Sequence, residues 1–218
     1  MKFPAPLKIS WKPKPVDSAK AWVEDLLDGR VRYCIEHELL KDVTPAMIVW
    51  FLNHMTDIVE VGEESVQQYR LWHPVDHISL TYIKRSTDDR NFGPGAQLRI
   101  REAFQGNSKY EINVLATVEF LDLTGFAHYE KFLGLRAAYM QYAFEETEDG
   151  TLYKNSLTVG VEGYSLPARF INRLVAPRVF PREKGHAWIQ HNIEEVGAFE
   201  SFLPSLYSER TRDAYSSA

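Results

Sequence analysis

His191 and Glu195 are the residues of this chain whose types and spacing first suggest chemistry. They stand four apart within residues 185–203, GHAWIQHNIEEVGAFESFL, whose apolar spacing predicts a helix. Residues three and four apart share a helix face, and counting from His191 collects Trp188, Glu195, Ala198, Phe199 and Phe202. The face bearing the large aromatics, which must pack inward, therefore also bears an imidazole and a carboxylate. Gln190, Glu194, Gly197 and Ser201 occupy the opposite face and suit solvent. Burying a carboxylate costs several kcal/mol unless it is paired or bound to a metal. A His–Glu hydrogen bond at the core edge and metal ligation both answer that demand, and the helix alone does not choose between them.

Two further stretches bear on the choice. In Tyr69-Arg-Leu-Trp-His-Pro-Val-Asp-His77, Pro74 disfavours a helix and holds His73 extended. Two histidines, an aspartate, a Trp and a Tyr are thus displayed on a turn leading into a strand over 78–85. A surface turn with solvated histidines is the plain alternative, although loops on a rigid scaffold often carry function. In Leu98-Arg-Ile-Arg-Glu-Ala-Phe104, strand alternation puts Leu98, Ile100, Glu102 and Phe104 on one face. Glu102 is the one charge on that apolar face. In the next strand, 110–123, the apolar side is Ile112, Val114, Ala116 and Val118, so Glu111 and Glu119 fall on the polar side. Glu102, His191 and Glu195 would then share one core. A divalent cation would balance their charge, His and Glu ligands suit zinc, and the 73–77 turn is the natural source of a further ligand.

The elements that must position these residues follow from the rest of the pattern. The spacing predicts a short helix over 17–27, a strand over 31–40 and a helix opened by Thr44-Pro45, with Thr44 as N-cap and Pro45 at the first helical position. A helical piece is expected at 63–68. A hairpin is expected over 136–146 and 151–161 around Glu148-Asp149-Gly150. A helix over 166–175 should be broken by Pro177 and Pro181. The predicted class is α+β, a curved antiparallel sheet gripping a long C-terminal helix. Residues 1–40 read as an N-terminal extension with a proline-rich arm, 41–205 as the catalytic domain and 206–218 as a polar tail. Hydrophobic residues make up 44% of the 218, enough for a large core, and the aromatic share of 13% suits a sheet around a cavity.

The net charge of −5, with Lys and Arg scattered, gives no reason to expect nucleic acid. Cys34 is the single cysteine, which excludes an intramolecular disulfide and a cysteine-based zinc site. A buried thiol in a reducing cytoplasm is the economical expectation. No apolar run approaches the ~18–20 residues of a membrane span, so no membrane partner is expected. A homodimer through the proline-rich arm is left open.

Thr44-Pro45-Ala46-Met47 with Trp50, Tyr69-x-x-Trp72-His73-Pro74-x-Asp76-His77, and His191-x-x-x-Glu195 resemble the 2,4-diacetylphloroglucinol hydrolases, a group that includes phloretin hydrolase. The resemblance runs across roughly 40–205 and is most specific in the YxxWHPxDH segment. It implies a helix-grip, Bet v 1-like core and a zinc ion held by His77, Glu102, His191 and Glu195. It also implies cleavage of the carbon–carbon bond between an acyl group and a phenolic ring. The expected substrate is an acylated phenol or a related β-diketone tautomer. Tyr69 matches a substrate-bonding tyrosine, and Trp72 and Trp188 are expected beside it as substrate contacts. His73, Tyr69 and Tyr142 are the candidates for proton transfer. Tyr139 and Tyr142 stand where a histidine is expected among the central strands, and Leu80 where a polar contact is expected. A helix-grip binding protein for a hydrophobic aromatic ligand, and a polyketide cyclase or isomerase using the same pocket, are the alternative functions.

Overall fold

A computed structural model describes residues 3–216, and side chains as far as 212. Eleven strands lie in chain order among these residues: β1 (Ala19–Asp25), β2 (Val31–His37), β3 (Leu40–Lys41), β4 (Ile58–Val61), β5 (Glu64–Gln67), β6 (His77–Lys84), β7 (Gln97–Ala103), β8 (Glu111–Asp122), β9 (Gly125–Phe132), β10 (Leu135–Thr147) and β11 (Gly150–Val159). The helices are α1 (Pro45–His54), α2 (Tyr69–Trp72), α3 (Leu166–Phe170), α4 (Ala176–Val179) and α5 (Arg182–Ser216), with a π turn over Ile171–Val175. One antiparallel sheet runs β1-β2-β11-β10-β9-β8-β7-β6, with β3 added beside β11, while β4 and β5 form a separate hairpin. The sheet curls around α5, the expected α+β grip of a long C-terminal helix.

Helix α5 lies along the concave side because its inward residues are large and apolar. Trp188, Ile193, Val196, Phe199 and Leu203 are all buried. Near its start, Gly185 lets Tyr33 of β2 approach so closely that an added Cβ would lie 2.1 Å from the ring. The helix passes through Pro204 and extends to Ser216, well beyond the expected end at 203. It thereby takes in most of the expected polar tail; residues 217 and 218 lie outside the described residues.

Thr44 caps α1 as expected, its hydroxyl accepting from the Met47 amide at 3.3 Å. Other elements differ from expectation. The one-turn helix α2 closes before Pro74 can interfere, on the stretch read as a turn, and α4 carries the 166–175 helix past Pro177, which sits where a helix N-terminus tolerates it. Residues 19–25 form strand β1 rather than a helix, paired with β2 in a register that sets Trp22 against Cys34. Its apolar residues fit either period, and an open sheet edge to pair with outweighs weak helix propensity. The expected helical piece at 63–68 is instead mostly strand β5, paired with β4 in a hairpin turned at Gly62 with φ 63°, a left-handed conformation that glycine adopts without strain. Strand β9 lies where no strand was expected. Its inward face, Phe126, His128 and Glu130, mixes aromatic and ionisable residues and so hides the usual apolar alternation.

The proline-rich arm lies on its own domain. Arg70 donates to the Ala5 carbonyl at 2.6 Å, Trp11 stacks on Phe202 at 5.7 Å, and Lys14 pairs with Glu200 at 3.0 Å. Strands β1 and β2, from the segment read as an extension, belong to the main sheet. Cys34 is a buried free thiol. No helix among the described residues is long and apolar enough to cross a membrane.

Candidate metal centre and cavity

Three elements bring the predicted ligands together. His77 opens β6, Glu102 is its cross-strand partner on β7, and α5 supplies His191 and Glu195. The His77 Nε2 lies 3.5 Å from Glu102 Oε1 and 3.3 Å from Glu195 Oε2. The His191 Nε2 lies 3.7 Å from Glu102 Oε2 and 3.6 Å from Glu195 Oε2. These separations exceed hydrogen-bond length, so the His191–Glu195 pair is not the hydrogen bond that was one of its two readings. His77, His191 and Glu195 offer ligand atoms all within 4.8 Å of one another. Glu102 closes the remaining side, with one oxygen toward each histidine.

Both imidazoles are fixed from behind. The His77 Nδ1 bonds the Tyr69 carbonyl at 2.7 Å. The His191 Nδ1 bonds Asp76 Oδ2 at 2.9 Å. A nitrogen facing an acceptor carries the proton, which turns the Nε2 lone pairs inward, as in metal sites whose histidines are oriented by carboxylates or carbonyls. The Nε2 of His77 is buried with no hydrogen-bond partner, an orphan that a metal ligand would not be. Ligands ~2.0–2.1 Å from a tetrahedral zinc stand ~3.3–3.4 Å apart, close to the four separations above. The residues present therefore fit a zinc ion.

Burial dominates the electrostatics of the cluster. Burial pushes the Glu102 carboxyl up to about 8. Burial, reinforced by the Glu102 and Asp76 charges, raises Glu195 well above the carboxylate range. Burial lowers His77 well below its ordinary value and His191 to about 4. Asp76 goes the other way. Burial alone would raise it, but hydrogen bonds from His191 and from the Gln105 and Gly106 amides, the latter two at 2.9 Å, keep it ionised.

His73 does not join the cluster. It stacks behind His191 with ring centroids 4.6 Å apart and bonds Glu194 at 3.0 Å through Nε2. Its Nδ1 accepts from the Asp76 amide. It supports His191 and Asp76 and does not line the cavity, so direct proton transfer to a ligand there is out of its reach. Glu194, which suited solvent by its helix face, is half-buried as its partner.

Glu102, His191 and Glu195 line a cavity of about 570 Å³ between sheet and helix, while His77 is fully buried outside its lining. Tyr69, Trp72, Leu80, Tyr142 and Trp188 also line the cavity, which places the expected substrate contacts there. The Tyr69 hydroxyl donates to Glu102. Tyr142 stacks on Phe126 at 3.8 Å, and burial raises its phenol well above 10. Tyr139 lies outside the cavity lining, beneath the Arg136 guanidinium at 6.0 Å.

Reading the sequence missed His128 and Glu130 because it missed β9. Both line the cavity, and the His128 ring lies 6.1 Å from that of Tyr142. The Nδ1 of His128 is buried without a hydrogen-bond partner, and burial holds its pKa at about 4. Glu130 stands between Ala116 and Ala138 on the neighbouring strands, and burial lifts it to about 7 against the opposing charge of Lys184. Strict alternation through Phe126, His128, Glu130 and Phe132 was the available signal.

Two tests follow from this geometry. Glu102→Gln is expected to lower metal content sharply, whereas Glu111→Gln, whose carboxylate pairs with Arg101 at 2.7 Å on the other face of the sheet, should match the parent chain by elemental analysis. His128 sets a pH dependence. Its folded pKa of about 4 lies below the ordinary 6.5, so the unfolded chain binds the extra proton first. Neutral His128 contributes stability above pH 6.5, and that contribution is lost as pH falls toward 4. Denaturant titrations should show His128→Leu losing less stability across that window, by up to about 3 kcal/mol; an unchanged slope would rule the buried neutral imidazole out as a source.

No family profile and no curated protein matches the sequence. Among solved structures, the di-domain ARO/CYC StfQ from the steffimycin biosynthetic pathway superposes with a TM-score of 0.50 at 9% identity, covering 83% of this chain and 53% of that one. A START superfamily protein from Mycobacterium smegmatis gives 0.49 at 16% identity, covering 81% of this chain and 98% of that one. Ara h 8.0201 gives 0.46 at 14%, covering 78% and 98% respectively. At 9% identity the likeness to StfQ is one of fold alone, and the sheet wrapped on α5 is a helix grip.

Proposed function

We propose that the chain is a zinc-dependent hydrolase that cleaves the carbon–carbon bond between an acyl group and a phenolic ring. One observation carries this reading: His77, Glu102, His191 and Glu195 turn ligand atoms toward one another beside a cavity large enough for a small aromatic molecule, which Glu102, His191 and Glu195 line. The motif resemblance supplies the reaction class. Zinc bound by these four residues would supply Lewis acidity toward a carbonyl or phenolic oxygen.

The chain's own residues do the rest. Trp72 and Trp188 enclose an aromatic ring and exclude water, while Tyr69 holds Glu102 in position. Hydrolysis needs a proton taken from water and one delivered to the ring carbon that loses the acyl group. Tyr142 keeps its phenolic proton at neutral pH and suits the donor role. The Nδ1 of His128, buried without a partner, is the ring nitrogen placed to accept a proton there. These assignments replace His73, which is cut off from the cavity by His191.

A second reading is a binding protein for a hydrophobic aromatic ligand, or a polyketide-type cyclase or isomerase. The apolar cavity and the likeness to StfQ favour it. Elemental analysis of the purified chain, with chromatography of products from a panel of acylphenols, separates the two. Stoichiometric zinc and release of a carboxylic acid are expected. A metal-free chain that binds the same phenols without turnover would overturn the hydrolase in favour of the binder.

A further inference from the structure

Residues 165–182, SLPARFINRLVAPRVFPR, contain four arginines and no acidic residue in a chain of net charge −5. Ser165 caps the segment by accepting from the Ala168 amide. The chain then stays helical through α3, the π turn and α4, the turn widening where Pro177 removes an amide donor. One side is riveted to the domain. Ala168 and Ile171 pack with Val161, and the Asn172 side chain bonds the Val161 amide at 2.7 Å and the Asp28 carbonyl at 2.9 Å.

The other side is apolar and covered by nothing. Leu166, Phe170 and Leu174, spaced four apart, are 82%, 59% and 46% exposed, and Val179 is 65% exposed. Arg169 and Arg173 are exposed beside them. Across the cavity mouth, the β9–β10 turn presents Leu133, 84% exposed. Its φ of 49° is a left-handed conformation unfavourable for leucine, held at a tip where the side chain gains no packing. Lys131 and Arg136 flank that tip. Phe132 beside that tip and Val175, Val179 and Phe180 beside the helical segment all line the cavity, and Phe132 and Val179 are also exposed to solvent, so both ridges border the cavity where it meets the surface.

A second copy of the chain would set arginine against arginine on this face. The apolar groups project as a ridge and a turn tip, not as a groove with fixed walls, which suits a soft surface better than a shaped protein partner. We propose that this face docks on an anionic lipid surface, with Leu133, Leu166, Phe170 and Leu174 entering the headgroup layer and Arg169 and Arg173 on phosphates, so that the cavity opens toward the lipid. A helix lying in the interface needs no apolar span, so the lack of a spanning segment does not count against it. An apolar ligand dissolved in lipid would then reach the cavity without crossing water. The inference holds whether or not the cavity carries out chemistry.

Flotation of the full chain with vesicles tests it, comparing phosphatidylcholine alone with phosphatidylcholine containing phosphatidylserine. Binding only to the anionic vesicles, weakened by salt, is expected. The Arg169→Glu/Arg173→Glu and Leu133→Asp/Phe170→Asp pairs should each cut it by about tenfold or more, with thermal unfolding little changed because these side chains are mostly exposed. No binding to anionic vesicles, or binding that neither pair weakens, would overturn the proposal. Retention on immobilised polyglutamate without vesicle binding would overturn it in favour of an acidic protein partner.

Discussion

His77→Ala should strip zinc from the protein and abolish turnover, while His73→Ala keeps most of its metal. The two histidines stand four residues apart on one turn but do opposite work. His77 presents a buried, unpartnered Nε2 to both carboxylates. His73 acts at one remove: it stacks on His191 and accepts from the Asp76 amide, and Asp76 in turn holds the His191 Nδ1. Loss of such outer support typically costs about 10–100-fold in metal affinity or activity, whereas loss of one ligand of four removes a closed set of donors. His191→Ala and Glu195→Ala should behave like His77→Ala, since one helix face delivers both. Metal content by mass spectrometry and turnover of an acylphenol would be read on all four variants. Retained zinc in His77→Ala, with loss in His73→Ala, would move the ligand to the outer histidine and discard the cluster described above.

Tyr142→Phe and His128→Leu should keep full zinc content yet slow turnover by roughly 10²–10⁴-fold, the range of a lost acid or base. Neither side chain belongs to the ligand set, and both line the cavity. Burial keeps the phenol protonated and the imidazole neutral in the resting protein. His73→Ala would not share this pattern if its effect comes through His191, because its metal affinity would fall along with its rate. If both cavity variants turn over acylphenols at the parental rate, the proton transfers run through other groups, with Tyr69 next in line beside Glu102.

The legible parts of this protein were those that a local period can encode. The inward placement of His191 and Glu195 followed from helix spacing, and that of Glu102 against Glu111 from strand alternation. The β10–β11 hairpin followed from its turn residues, and the Thr44 cap from residue type. Strand β9 failed the same test. Its inward face carries Phe126, His128 and Glu130, so polarity and direction no longer correlate. Residues 19–25 failed for a different reason, because their few apolar positions satisfy both periods and only an available partner strand chooses between them. The helical piece expected at 63–68 failed because Gly62 reverses the chain just before it and pairs it with 58–61.

By itself the sequence determined which side chains must face inward on α5 and β7, because burial free energy acts on each face separately and leaves its period in the chain. It also determined that the inward set carried more carboxylate and imidazole than an apolar core can hold unpaired. Only the tertiary structure decided which of those faces meet. The pairing of His77 with Glu102 across β6 and β7, and the seating of both against His191 and Glu195 on α5, depend on sheet register and curvature. Those are set by contacts between residues far apart in the chain. The same long-range packing turned His73 to the back of His191 and brought His128 to the cavity, because the direction of a side chain on a turn or a mixed strand is fixed by what packs against it.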